Sequence, residues 1–319
     1  MILCPRPAQP LRTWRGKNSG VRGSHMGVGE ILSETFGIVK GRFGPLLGLW
    51  AIYFAITVVL FIGFGMAIGT AGIGTLATMA SGDSLNGSAS FAAVGGMAVV
   101  ILLFYLGYLL VAMAQYASTI LLASPLRQVT VGEALGAGLR AGPALLLLLI
   151  VLMVGYFGGA LVLSLLGAAF SALGSWGTGL FALILIPLVI WIGCRLAPLF
   201  AVISVDGMRN PFKVIARSWR LTRGYALSIF LSSLVFIVIL VVICGIALLP
   251  SIGMLRTLAD PAGLADPSAA APAVGGVLLF VLGVVVAGVL FNLAYCAFSA
   301  VIHAKLTGAA GEGAAEAFA

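Results

Sequence analysis

The sequence predicts an all-α polytopic membrane protein: six transmembrane helices in three pseudo-repeats, each an amphipathic helix followed by a helix pair. Three observations carry this reading. Of 319 residues, 61% are hydrophobic and only 8% charged, against about 25% charged in a soluble domain; mean hydropathy is +1.19. Uncharged apolar runs long enough to cross a ~30 Å hydrocarbon core recur along the chain. The cations between them collect in alternate connections, which orients the spans.

Residues 1–25 differ from the rest. They hold Arg6, Arg12, Arg15, Lys17 and Arg22, three prolines and no acid. Without an apolar h-region they are no secretory signal and read as a disordered, basic, cytoplasmic segment. Arg22-Gly23-Ser24-His25-Met26 resembles a vector-derived junction, with Met26 an alternative start. The membrane domain is read as residues 26–307.

That domain opens on an amphipathic segment, Glu30 to Gly44. Leu32, Phe36, Val39 and Phe43 recur at helical spacing, with Lys40 and Arg42 near the end. The first span is Pro45–Gly69. The Gly/Ser/Thr-rich stretch after it, through Gly87 with Asp83 its only charge, reads as a loop or a short re-entrant piece. The second span is Val94–Leu122. Thr130-x-x-Glu133 then fits a capping box, and Val131, Leu135 and Leu139 keep helical spacing. Ala141 to Cys194 holds no charge and is too long for one crossing. The small-residue stretch 171–179 divides it into a third span, Pro143–Phe170, and a fourth, Leu180–Phe200.

Val205 to Gly224 is the most charged stretch: Arg209, Lys213, Arg217, Arg220 and Arg223 stand against Asp206 alone. Asn210-Pro211 reads as a helix start and Gly224 as its stop. Phe212, Ile215, Ala216 and Trp219 share one face, with Lys213, Arg217 and Arg220 on its flank. This pattern suits a helix lying in the membrane interface, its cations on anionic lipid headgroups; the plainer alternative is a loop whose cations only set topology. The fifth span is Tyr225–Leu249. A connection with Arg256, Asp260 and Asp266 leads to the sixth, Val274–Ile302, and residues 308–319 read as a flexible tail. Cations before span 1, between spans 2 and 3, between 4 and 5, and after 6 place both termini in the cytoplasm. Small-residue pairs such as Gly65/Gly69 and Gly155/Gly159 would allow close helix packing.

The run RLAPLFAVISVDGMRNPFKVIARSWRLTRG, Arg195 to Gly224, followed by an apolar span, resembles the six-span membrane domain that precedes some bacterial glycerophosphoryl diester phosphodiesterases, and its stand-alone inner-membrane relatives. The resemblance covers about Met26 to Thr307. It implies a multi-pass protein of the bacterial inner membrane. It implies no activity: the phosphodiesterase is a separate barrel domain, and no room for one remains in this sequence.

Other chemistry is sparse. The two histidines are His25 and His303, too few for a His-based metal cluster, and no metal or cofactor is expected. Gly72-Ile-Gly-Thr-Leu-Ala lacks the strand–helix setting of a dinucleotide site. The four cysteines read as small buried hydrophobes. The net charge of +8 sits in short connections and is no nucleic-acid signature. No span carries a central Asp, Glu or Lys. One polar constellation remains: aligning the units places Gln115, Arg195 and Asn292/Tyr295 at related depths near the cytoplasmic ends of spans 2, 4 and 6. It reads either as a ring for a lipid phosphate or small anion, or as packing contacts with Arg195 snorkelling or paired to Asp206. Lys213, Arg217, Trp219, Arg220 and Arg223 are the expected interfacial lipid contacts. The leading expectation is a non-enzymatic, lipid-interacting or envelope-homeostasis scaffold. The alternative is a transporter or flippase for a lipid or small anionic solute. A lipid-modifying enzyme ranks last, because acid–base work needs positioned titratable groups.

Overall fold

The computed structural model describes residues 27–80, 87–249 and 267–317. Nine helices make up the regular structure of the described residues: α1 (Val28–Gly41), α2 (Phe43–Ala80), α3 (Gly87–Ala123), α4 (Val131–Ser171), α5 (Ser175–Leu196), α6 (Leu199–Asp206), α7 (Pro211–Leu221), α8 (Ala226–Leu248) and α9 (Pro267–Ala317). Six stretches are long and apolar enough to cross a membrane: Phe43–Thr70, Gly95–Ala123, Val131–Ser171, Ser175–Asp206, Ala226–Ile246 and Val277–Gly308. The chain is an all-α polytopic membrane protein. The basic segment 1–25, and the connections 81–86 and 250–266 with Asp83, Arg256, Asp260 and Asp266, lie outside the described residues.

The local signals act as their chemistry requires. Thr130 and Glu133 form a complete capping box at the start of α4. The Asn210 carboxamide oxygen accepts from the Phe212 and Lys213 N–H groups, with Pro211 opening α7. Gly224, at φ +87°, turns the chain from α7 into α8, and Gly207, at φ +71°, closes α6.

Several boundaries differ from the sequence reading. Helix α2 continues into the stretch read as a loop or re-entrant piece, as far as Ala80, and residues 81–86 of that stretch lie outside the described residues. Residues 70–80 contain neither proline nor charge to stop it, and a helix is the cheapest way to satisfy backbone in hydrocarbon. The amphipathic segment from Val131 and the third span form one helix of 41 residues, about 60 Å long. Pro143 lies inside it without ending it, because the preceding turns are held tightly against α3. The fourth span, by contrast, breaks at Pro198, which brings no N–H to the ladder, and α6 takes over from α5. At the end of the chain α9 runs to Ala317, past the end expected for the sixth span at Ile302. Extending an existing helix through Ala and Glu needs no new nucleus.

The spans pair as three hairpins, α2/α3, α4/α5 and α8/α9. Each follows an amphipathic segment: α1, the first turns of α4, and α7. Their buried positions crowd toward the end that carries the cations: Leu46 to Tyr53 of α2, Met113 to Ala123 of α3, Ala134 to Leu148 of α4, and Ala287 to Leu306 of α9. Toward the opposite end the named contacts lie within hairpins. Phe64 stacks on Phe104 at 3.9 Å, and Phe170 meets Phe181 at 5.5 Å. At the α4/α5 turn, a Cβ on Gly177 would stand 2.8 Å from Leu173 Cβ and closer still to the Phe170 carbonyl, so only glycine fits.

The tightest inter-hairpin contact is α3 on α4. A Cβ on Gly138 would stand 2.6 Å from the Ala114 carbonyl oxygen and closer to Ser118 Oγ; one on Gly142 would stand 3.3 Å from the Leu110 carbonyl. Gly138-x-x-x-Gly142 is thus the close-packing pair, and the sequence reading passed over it. A Cβ added to Gly65, Gly69, Gly155 or Gly159 would meet nothing within 4 Å, so these four face open space. Helix α2 joins the α3/α4 junction through Tyr53, whose hydroxyl lies 2.8 Å from Ser118 Oγ, while Ser118 donates to the Ala114 carbonyl at 2.8 Å. Both side chains are fully buried, so each hydroxyl is satisfied by the other or by backbone.

Two clasps close the charged end. Arg42 Nη1 donates to the Leu122 carbonyl at 2.7 Å, capping the open C-terminus of α3. Lys305 of α9 pairs with Glu30 and, at 3.0 Å, with Glu34, fastening α1 to the far end of the chain.

Candidate functional site

The charged end holds most of the residues singled out from sequence. Helix α7 lies across it with Pro211, Val214, Ser218 and Thr222 buried against the bundle. Its outward side presents Lys213, Arg220 and, just beyond, Arg223, together with Phe212 at 68% and Trp219 at 38% exposure. The predicted apolar face is therefore split. Ile215 packs into the core, while Phe212 and Trp219 point away from it beside the cations.

Arg195 is not paired with Asp206. Its Nη1 donates to the Trp219 carbonyl at 2.9 Å, at the C-terminal end of α7. Its guanidinium carbon lies 5.1 Å from the Trp191 ring and 5.3 Å from the Trp219 ring, and the two indoles meet edge to face at 5.2 Å. Ser218 Oγ donates back to the Arg195 carbonyl at 2.6 Å. A helix-end carbonyl and two π-faces thus supply the partners that an arginine inside an apolar run requires. Arg195 Nε is buried without a hydrogen bond to any described residue.

Asp206 turns elsewhere because eleven residues, and the break at Pro198, separate it from Arg195. Its Oδ2 accepts from Arg217 Nε at 2.6 Å, and its Oδ1 lies 3.4 Å from His303 Nε2. His303 is fully buried, and neither ring nitrogen has a well-formed hydrogen bond to a described residue. This cluster ties α6, α7 and α9 together. Arg217, expected among the interfacial lipid contacts, is drawn inward by it. A pocket of about 410 Å³ opens above, lined by Leu126, Arg127, Val205, Asp206, Met208 and Arg217.

The remaining predicted residues do not close a ring with Arg195. Gln115 lines a separate recess of about 130 Å³ between α2 and α3, with Trp50, Phe54, Thr57 and Tyr108. Asn292 lies against the Tyr116 hydroxyl, its Oδ1 buried and without a hydrogen bond to any described residue. Tyr295 packs parallel to Phe291 with ring centroids 6.2 Å apart. Among the described residues Arg195 makes no hydrogen bond to Gln115, Asn292 or Tyr295. The alignment of units equated their depths, but each side chain faces a different neighbour.

Sequence reasoning missed the Asp206–Arg217–His303 cluster. The signal was present: one acid in the basic stretch, eleven residues from Arg217 across the Gly207 turn, and one histidine in the membrane domain. No protein-family model matches the chain, nor does any curated protein or solved structure.

Proposed function

We propose that this is a non-enzymatic, multi-pass protein of the bacterial inner membrane, with both termini cytoplasmic, whose charged end binds anionic lipid as part of an envelope scaffold. The resemblance of Arg195–Gly224 to the membrane domain of glycerophosphoryl diester phosphodiesterases supports the setting. The observation that carries the lipid reading is the outward side of α7. Exposed Phe212 and Trp219 next to Lys213, Arg220 and Arg223 match an interfacial helix, with aromatic rings at headgroup level and cations on phosphates.

Each cation near an anionic surface contributes about 1 kcal/mol. Replacing Lys213, Arg220 and Arg223 together by glutamine should therefore weaken retention of phosphatidylglycerol about a hundredfold. Native mass spectrometry of the purified protein in mixed phosphatidylglycerol/phosphatidylcholine bilayers reads this directly. Equal phosphatidylglycerol occupancy in the triple variant and the parent would refute the lipid reading.

Orientation has its own test. Single cysteines replacing Arg127 and Trp176, both exposed and at opposite ends of the bundle, are introduced into a chain whose native cysteines are removed. In intact cells a membrane-impermeant thiol reagent should modify position 176 and leave 127 untouched until the membrane is opened. The reverse pattern would invert the topology.

A further inference from the structure

The pocket between the α3–α4 connection and the α6–α7 turn is charged, yet its acid is already engaged. Asp206 gives one oxygen to Arg217 and the other faces His303. What the pocket has to spare is donors. Arg217 uses Nε on Asp206, and its two Nη groups donate to no described residue. Arg127 makes no hydrogen bond or ion pair with a described residue. Two guanidinium groups with unused N–H donors therefore line one pocket of about 410 Å³, against a single neutralised carboxylate. Leu126, Val205 and Met208 complete its walls.

The fold holds the Arg217 side chain and anchors the backbone that carries Arg127. Asp206 fixes Arg217 from behind at 2.6 Å, leaving the Nη edge of its guanidinium for a ligand. The connection carrying Arg127 is anchored at both ends. Arg42 reaches the Leu122 carbonyl just before it, Ser124 Oγ accepts from the Leu126 N–H at 3.3 Å, and Thr130 and Glu133 lock the start of α4. Two arginines lining one pocket suit a tetrahedral oxyanion, which can accept from two planar guanidinium forks at once.

We infer that this pocket is a phosphate site, in which Arg127 and Arg217 bind a phosphate group and Asp206 positions Arg217. The group comes either from a lipid headgroup or from a free phosphate, and both present the same oxygens. The site is separate from the outward side of α7 and does not depend on the lipid reading above.

The test uses the full-length protein and two probes: inorganic phosphate titrated calorimetrically in a non-ionic detergent, and phosphatidylglycerol retention against phosphatidylcholine by native mass spectrometry. Arg127→Gln is the main variant, because Arg127 is exposed and supports no described contact, so the fold should survive. A charge-assisted hydrogen bond to phosphate is worth about a tenfold change in affinity, and Arg127→Gln should lose at least about that in whichever arm reports binding. Arg217→Lys, which keeps a cation for Asp206 but removes the fork, should lose a comparable factor. The Lys213/Arg220/Arg223 triple variant should leave the phosphate affinity within about twofold, since those residues lie outside the pocket. A loss in the inorganic phosphate arm assigns a soluble phosphate; a loss confined to phosphatidylglycerol assigns a lipid headgroup. Arg127→Gln with unchanged behaviour in both arms overturns the site.

Discussion

Replacing Gly138 by alanine should be the most damaging single methyl group that can be added at the contact between α3 and α4. The added Cβ would lie 2.6 Å from the Ala114 carbonyl oxygen, and a backbone atom cannot rotate away. Ser118, closer still, is already held by its bonds to Ala114 and Tyr53. Helix α4 must therefore move off α3, which loosens the three-helix junction. Overpacking of this kind costs typically 1–3 kcal/mol, and the upper part of that range is expected because two fixed groups obstruct. Gly142→Ala, whose nearest neighbour is a carbonyl at 3.3 Å, should cost about 1 kcal/mol. Gly155→Ala meets nothing within 4 Å and should be neutral or slightly stabilising, since alanine is the better helix former by about 1 kcal/mol. Unfolding midpoints of the three variants in mixed micelles give the ranking. A Gly138→Ala protein as stable as Gly155→Ala would show that α3 and α4 do not pack as described.

The second large effect is expected at Asp206. Asn in its place keeps the shape but removes the charge facing Arg217, and a hydrogen bond to a charged group contributes about 1.5–3 kcal/mol. Arg217 is 36% exposed and Asp206 18%, so solvent screening lowers the expected loss to about 1–2 kcal/mol. A double-mutant cycle with Arg217→Gln isolates the pair and should return a coupling near 1 kcal/mol; strictly additive losses would mean that the pair contributes nothing. His303 behaves differently. Its ring is fully buried with both nitrogens lacking good partners. His303→Leu should therefore stay within about 1 kcal/mol of the parent, since removing an unsatisfied polar group offsets the lost contact with Asp206.

How much of this was legible depended on whether a feature is local or long-range. The spans follow from run length, and the caps at Thr130/Glu133 and Asn210/Pro211 from neighbouring side chains, so both were readable without neighbours in space. Proline was ambiguous: Pro143 is absorbed within a helix while Pro198 breaks one, and only the packing around each decides. Glycine pairs were ambiguous for the same reason. Gly138/Gly142 and Gly155/Gly159 share one spacing, but only the former faces another backbone. The basic stretch was recognised as a helix, yet not which cations it keeps inside. Arg217 is claimed by an acid on α6 and Arg195 by a carbonyl on α7, choices made by tertiary geometry alone.

The clasp between α1 and α9 has a consequence in time. Glu30 and Lys305 are 275 residues apart in sequence. At the usual ~5–20 residues per second of synthesis, the acid waits about 14 to 55 s for its base. Throughout that interval the α1 segment is already made, with an apolar stripe and two glutamates but no helix α9 to receive them. The membrane surface is the one apolar phase within reach of a helix so close to the first span, and α1 can rest there until the last hairpin inserts. Assembly of the bundle is thus finished at the place where the described chain begins, and the pairing of Lys305 with Glu30 and Glu34 records that the final helix has arrived.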